Sequence, residues 1–452
     1  RYYSPGVASR PWAKERGIEV GGERIGIGII GLGTVGTGVV QILQSASSAM
    51  RRKDCGFDVV RVAVRDASIK RQVQLADGVI GTDPATVIHD ENVQVVVELT
   101  GATPAYGWIK EALSAGKDVV TANKAVIAEH GDELFSLAQD KGGDLLFEAA
   151  VAGGIPIIRS LRSGLVANRV ESLYGILNGT TNYMMTRMTR GEGDYDEILA
   201  EAQAKGYAEP DPTMDVSGMD AAQKLAILGR IAFHATGTAS DLFCEGIEDI
   251  QSSDIEAARE LGYTIKLLAI AKHTADGKVE ARVHPAMVPS ESLLANIHDE
   301  FNAIEIVGSA VGNQVFYGAG AGQMPTASAV VSDLVELAQR KNTGATTTIG
   351  DMILDDEAAP FADIEDSIIR YFLRMRVADR PGVLAQITQM LAAEEISIAS
   401  VIQKERDLEG GTVQLIIVTH EARERSMRKA VAAIDALDFT EGATRLIRME
   451  DL

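Results

Sequence analysis

Residues 27–43, IGIIGLGTVGTGVVQIL, place a β-branched run, three glycines spaced G-x-G-x-x-G and a helical segment in direct succession. Few backbones accept that order. Gly31 permits a tight turn out of a strand, Gly33 lets the main chain approach a pyrophosphate, and Gly36 lets helix and strand pack closely. Thr34 and Val35 open the helix, whose free N–H groups and positive dipole end favour phosphate. A glycine-rich turn in an unrelated α/β domain is the alternative. The strand–turn–helix context points instead to a dinucleotide site.

The chain beyond the loop fits that reading. DVVRVAV, VQVVVEL, DVVT and DLLF read as strands, separated by helical stretches such as TPAYGWIKEALSAG. Strands joined by helix-length crossovers imply a doubly wound parallel sheet over residues 24–147. The helix MPTASAVVSDLVELAQRK, within 324–345, is expected to complete this domain. The end of the second strand reads the cofactor's ribose. Arg65 there suits a 2′-phosphate and favours NADP, while Asp66 keeps NAD open. Lys70 and Arg71 add charge or are merely solvated.

Residues 148–323 change character. A glycine turn, VAGGIP, is followed by helices, then strands near 280–287 and a hairpin, NAIEIVGSAVGNQVFYG. This reads as a separate α+β domain. Residues 346–367, rich in Asp, Glu, Thr and Ala, read as a linker. Residues 368–450 give strand, helix, strand, strand, helix, strand, the ferredoxin-like order. The fold class is therefore α/β for the first domain, α+β for the second and ferredoxin-like for the third. Residues 1–23 lack periodicity and are set aside as an unstructured N-terminal extension. The first methionine is Met50, so the true start is expected to lie outside this sequence.

The formal net charge of −21 disfavours nucleic acid and anionic membrane as partners. No apolar stretch is long enough to span a bilayer. Two cysteines, Cys55 and Cys244, form neither a disulfide framework nor a metal cluster, and suit a cytoplasmic setting.

Three further segments carry chemistry. Thr100 ends VVVEL, and Lys124 in TANK follows the next strand. Both stand at the carboxyl ends of strands, where ligands bind in such sheets. A solvated surface lysine is the bland alternative. GILNGTTNY makes Asn178, Gly179 and Thr180 a polar loop between strand and helix, or simply an N-cap. EPDPTMDVSGMDAAQKLAIL brings Glu209, Asp211 and Asp215 ahead of a helix on which Asp220 and Lys224 share a face. Such a pair is usually an exposed salt bridge. Leu225, Ile227 and Leu228 mark this helix as buried, however. Carboxylates beside a lysine suit a small ammonium-bearing substrate with a carbonyl to be protonated.

GLGTVGTGV, TANK, GILNGTTNY, EPDP…D…GxDAxxK and GAGAGxxPTASAV, in this order, resemble the homoserine dehydrogenase family over about residues 24–345. The resemblance implies reversible, NAD(P)H-dependent reduction of L-aspartate 4-semialdehyde to L-homoserine, a step toward threonine, methionine and isoleucine. It implies that Lys224 is the proton donor and that Lys124 polarises the carbonyl or orders substrate and cofactor. Glu209 and Asp220 would hold the substrate's amino and hydroxyl groups, with Asn178, Gly179 and Thr180 as the substrate-side loop. Gly206 and Gly322 would lie near the nicotinamide. FEAAVAGGIPI resembles the family's sodium site, with Glu148, Val151, Gly153 and Ile155 giving mainly carbonyl oxygens.

The C-terminal region resembles an ACT domain. Asp379, Arg380, Pro381, Gly382 and Val383 form its strand-to-helix turn, where such domains bind amino acids. This implies feedback inhibition, with threonine as the expected effector, and a homodimer or homotetramer. A Pro/Gly turn without a ligand is the alternative. Two other readings of the whole chain stand beside this one. One is a different oxidoreductase on the same fold, acting on another semialdehyde or a hydroxy acid; one that made aspartate semialdehyde from aspartyl phosphate would need a thiolate nucleophile. The other is a non-catalytic amino-acid sensor built on the same folds.

Overall fold

A computed structural model describes residues 24–45, 55–344, 349–355, 357–403 and 411–452. The extension expected at 1–23 lies outside the described residues, as do residue 345 and 346–348 and 356 of the expected linker. The chain divides into two compact units. The first holds the chain up to Val126, His130–Ala149 and Gly322–Ile353; the second holds Ile127–Glu129, Ala150–Ala321 and Leu354–Leu452.

The first unit is a parallel sheet. Its strands are β1 (Ile25–Ile30), β2 (Phe57–Ala63), β3 (Ile80–Gly81), β4 (Val95–Glu98), β5 (Asp118–Thr121) and β6 (Leu145–Leu146). The order is β3-β2-β1-β4-β5-β6, the doubly wound arrangement in which the chain reverses direction between β1 and β4. Helices α1 (Thr34–Ser45), α2 (Pro84–Ile88), α3 (Ala105–Ser114) and α4 (Lys124–Lys141) make the crossovers. β1 is buried along its whole length, as a strand covered on both faces must be. The helix Gln323–Thr343 returns to this unit, where Ala327, Val330, Leu334 and Leu337 join a core with Ile27, Val39 and Val97.

The second unit is a mixed sheet. Its strands β7 (Val170–Ile176), β10 (Tyr263–His273), β11 (Val279–Pro289), β12 (Phe301–Gly308) and β13 (Gly312–Ala319) run in the order β13-β12-β7-β10-β11. Short strands β8 (Ala235–Thr236) and β9 (Phe243–Cys244) lie between β7 and β10 in sequence. The helices are α5 (Gly179–Thr189), α6 (Tyr195–Ala204), α7 (Thr213–Val216), α8 (Met219–Phe233) and α9 (Ser252–Glu260). β10 was not among the strands expected from sequence. Its central residues are buried without interruption, so the alternation that marks a half-exposed strand is missing.

The segment expected as a linker is held at both ends. Ile349 and Met352 are buried within the first unit. β14 (Ala359–Pro360) pairs with β8, and Phe361 bridges to Val279 in the second. From there β15 (Ile368–Ala378), α10 (Val383–Ala393), β16 (Ile398–Gln403), β17 (Thr412–Thr419), β18 (Ala422–Arg423), α11 (Glu424–Asp435) and β19 (Thr440–Met449) build the C-terminal region. Its strands run β19-β15-β17-β16, the ferredoxin-like order. Its sheet is continuous with the substrate domain's. β19 pairs in parallel with β11, Ala286 opposite Arg448 and Met287 opposite Met449.

Candidate active site

The glycine loop of the first unit has the geometry its sequence demands. Gly31 sits at φ +103°, hemmed in by the Leu99 backbone, and a β-carbon at Gly36 would run into the Gly31 carbonyl. A cavity of about 890 Å³ opens over this turn, with Gly31, Gly33, Thr34, Arg65 and Thr100 in its wall. Val35 follows in the first turn of α1, and Gly322, at φ +119°, leads into the returning helix.

The chain after Arg65 is arranged around cations. Asp66 accepts from the Ser68 N–H at 2.8 Å and from its hydroxyl at 2.6 Å. Those bonds hold the carboxyl below the ordinary aspartate range. Arg71 folds back and donates to the carbonyls of Asp66 and Ile69. Arg65 and Lys70 line the same cavity.

Sequence reasoning passed over the buried Glu98 at the end of β4. Its Oε1 accepts from the Thr100 N–H at 2.7 Å and the Thr100 hydroxyl at 2.6 Å, and its Oε2 from the Thr121 hydroxyl at 2.7 Å. Thr121 Oγ1 in turn accepts from the Asn123 N–H, and Asn123 caps α4 at Val126. One carboxylate therefore fixes both Thr100 and the turn that presents Lys124 as the first residue of α4. The available signal was a lone acid in an otherwise apolar strand.

The substrate-side residues meet in the second unit. Asn178 caps α5, its Oδ1 accepting from the Thr181 N–H at 2.8 Å. Its Nδ2 donates to Asp215 at 2.7 Å and to Asp220 at 2.8 Å. Lys224 donates to Asp220 and to the Leu177 carbonyl, both at 2.7 Å. The side chains of Lys224 and Asp220 are only 12% and 9% exposed, so this pair is not the solvated salt bridge that i,i+4 spacing usually gives. Burial, aided by repulsion from Asp220, raises the Asp215 carboxyl above its ordinary range, against the Asn178 hydrogen bond. A second residue missed from sequence, the buried Asn302 on β12, donates to the same Leu177 carbonyl at 2.9 Å, and its Oδ1 has no partner among the described residues.

Thr180, whose hydroxyl lies beside the Asp215 carboxyl, joins this cluster, and the other expected residues lie apart from it. Gly179 and Thr180 start α5, and Thr180 donates to the Tyr207 carbonyl. Gly206, at φ +76°, ends the turn after α6. Glu209 lies exposed on the loop before α7, where its carbonyl accepts from Gln203. In the glycine turn, Ala152 and Gly153 both adopt positive φ, and Val151 and Ile155 are buried. Such a turn redirects successive carbonyls. Glu148 belongs to the first unit, where its N–H donates to Asp333. In the C-terminal region, Gly382 at φ +92° starts α10 just before Val383. Asp379 donates its N–H to the Gly411 carbonyl, and Arg380 pairs with Asp438. Pro381 lies between Arg380 and Gly382 in the same turn.

Beneath α5, Lys266 donates to Asn182 at 3.0 Å and to the Ile297 carbonyl. Asn182 donates to the Asp299 and Phe301 carbonyls, so the pair ties α5 to the loop before β12. Desolvation pushes the Lys266 ammonium down to about 8. The thiol reading gains nothing here. Burial pushes Cys244 up to about 11, far from a reactive thiolate.

Family models described as homoserine dehydrogenase, its NAD-binding domain and the ACT domain match residues 156–335, 31–148 and 371–438. A homoserine dehydrogenase from Pseudomonas aeruginosa is 42% identical over 413 residues, 90% of this chain and 94% of that one. The crystal structure of one from Thiobacillus denitrificans superposes with a TM-score of 0.89 at 43% identity, covering 95% of this chain and 99% of that one. A hyperthermophilic archaeal homoserine dehydrogenase in complex with NADPH aligns at a TM-score of 0.60 and 25% identity, covering 70% of this chain and 97% of that one.

This geometry has two measurable consequences. Lys224→Ala should lower kcat by roughly 10²–10⁴-fold, with the dinucleotide dissociation constant unchanged by fluorescence titration. Near-normal turnover would remove Lys224 from the chemistry. Lys266 loses its proton near pH 8 when folded but close to its ordinary value of 10.5 when unfolded. The unfolded chain thus holds more protons between those limits, and this group's contribution to stability rises with pH across that window. Denaturation curves at several pH values should show that the rise is smaller in Lys266→Met than in the parent.

Proposed function

The chain belongs to the homoserine dehydrogenase family, and on that footing we propose how its residues carry the reaction and which cofactor and effector it takes. It is an NAD(P)-dependent oxidoreductase acting on a CH–OH group. The observation that carries the assignment of roles is the buried cluster of Asn178, Asp215, Asp220 and Lys224. Two carboxylates near one buried lysine offer an α-ammonium group a counter-charge and a carbonyl a proton donor in one place.

In the reducing direction, Lys224 gives a proton to the oxygen of aspartate 4-semialdehyde as the aldehyde carbon becomes CH–OH. Asp220 holds the lysine's ammonium in place, and Asn178 holds Asp220. The nicotinamide, when bound, supplies the hydride. Lys124 orders the cofactor from the carboxyl end of β5, and Glu209 contributes from its loop to the substrate's amino group. Arg65, assisted by Lys70, favours NADP over NAD, a reading supported by the engagement of Asp66 with Ser68. The residues around the glycine loop suit the dinucleotide, with Gly33 and Thr34 beside its pyrophosphate.

Carbonyls of the 151–155 turn suit a sodium ion. Residues 371–438 match the ACT family, which supports an amino-acid effector, and we assign threonine to the 379–383 turn. The enzyme then serves threonine, methionine and isoleucine biosynthesis in the cytoplasm as a homodimer or homotetramer. Neither Cys55 nor Cys244 is in a disulfide, in keeping with a reducing compartment. Among the described residues no helix is long and apolar enough to cross a membrane.

The test follows nicotinamide absorbance with L-homoserine and either NADP or NAD, with and without L-threonine. Reduction of NADP, suppressed by threonine, is the expected result. Arg65→Ala should raise the KM for NADP about tenfold, the worth of one charge-assisted contact, and leave that for NAD nearly unchanged. Equal effects on both would refute the role given to Arg65.

A further inference from the structure

The strip 243–247 is gripped from two sides within the second unit. On one side stands Arg448 of β19, which is 1% exposed. Its Nη1 donates to Glu245 Oε2 at 2.8 Å, and its guanidinium lies 4.5 Å from the centre of the Phe243 ring. The arginine is itself anchored. It forms two hydrogen bonds to the fully buried Glu424, which also accepts from the Tyr371 hydroxyl. Burial alone would raise the Glu424 carboxyl; Arg448 and Tyr371 together keep it below the ordinary range. A buried ion pair this well hydrogen-bonded has one geometry, and losing one partner strands the other.

On the other side the strip presses on the turn between α7 and α8. Cys244 Sγ donates to the Ser217 carbonyl at 3.2 Å, and the Ile247 N–H to the Val216 carbonyl at 2.9 Å. A β-carbon at Gly246 would run into that same Val216 carbonyl, and one at Gly218, φ +84°, would meet Cys244 Sγ. Glycine at both positions reports contact with no slack. The turn separates Asp215 from Asp220, the two carboxylates joined by Asn178. Moving the strip moves one carboxylate relative to the other.

We propose that Arg448, on the last strand of the C-terminal domain, is a positioning residue for the substrate site, acting through Glu245 on the turn that spaces Asp215 and Asp220. The inference rests on the assignment of those two carboxylates to the substrate. It gives the C-terminal domain a mechanical hold on substrate affinity that bypasses the dinucleotide. An effector that favours one placement of β19 over another changes affinity by that difference and no more.

The test uses the full chain. Glu245 is about one-third exposed, and Glu245→Ala leaves Arg448 paired with Glu424, so the fold is retained. The variant should raise the KM for L-homoserine by about three- to tenfold, as expected for one charge-assisted hydrogen bond. The KM for the dinucleotide and the melting temperature should stay close to the parent's. Glu245→Gln, which can still accept from Arg448, should recover most of the loss. A homoserine KM unchanged in Glu245→Ala, or a matching rise in the dinucleotide KM, would overturn the proposal. Asp220→Asn in the same assay separates the two layers. If it too leaves the homoserine KM unaltered, the assignment of the site has failed. If it raises that KM while Glu245→Ala does not, only the positioning role has failed.

Discussion

Two carboxylates five residues apart in sequence repel one another when brought into a buried site, and the substrate domain is organised around that cost. Asn178 meets it from one side by donating one amide hydrogen to each of Asp215 and Asp220. Lys224 meets it from the other, one helical turn along α8. The solution has structural consequences. Asn178 must cap α5 while reaching α8, so the loop after β7 is fixed in place. Leu177 must turn its carbonyl to Lys224 and Asn302 together. Low local dielectric makes each bond stronger and each omission more costly. The site is consequently rigid where it is charged.

The same device recurs in the nucleotide unit at smaller scale. Glu98 is buried, and the donors at its carboxylate are a backbone N–H and two threonine hydroxyls. Multiple neutral donors can hold a carboxylate in place of a counter-ion. The result is that the carboxyl ends of β4 and β5, where Thr100 and Lys124 stand, are tied to one group. Each unit thus uses a buried acid to fix the residues around it.

Much of this was legible in the sequence, because it depends on local spacing. The glycine loop announces its turn through Gly31 and Gly36, and the i,i+4 spacing of Asp220 and Lys224 places them on one helical face. The apolar Leu225 and Leu228 correctly mark α8 as internal. The features that escaped depend on tertiary neighbours. Glu98 reads as the polar end of a strand until Thr100 and Thr121 close over it. Asn302 is one polar residue in a hairpin. β10 carries no alternation because both its faces are covered. The pairing of β19 with β11 joins residues far apart in the chain and leaves no trace in either segment, so the C-terminal domain read as separate from a sheet that it extends. Residues 346–367 read as a linker by composition, although Ile349, Met352 and Phe361 give that segment anchors.

The central claim is that the buried carboxylates recognise an α-ammonium group while Lys224 handles the proton. The most direct measurement compares kcat/KM for L-homoserine with that for 4-hydroxybutyrate, its analogue lacking only the amino group, in the parent and in Asp220→Asn and Asp215→Asn variants. The parent should strongly prefer homoserine, and Asp215→Asn should lose most of that preference because its loss falls on homoserine far more than on the analogue; Asp220→Asn, which also frees Lys224, should lose the preference and slow both substrates. Equal losses on both substrates in Asp215→Asn would contradict this, since that carboxylate would then be supporting the fold or the proton transfer rather than binding the amine.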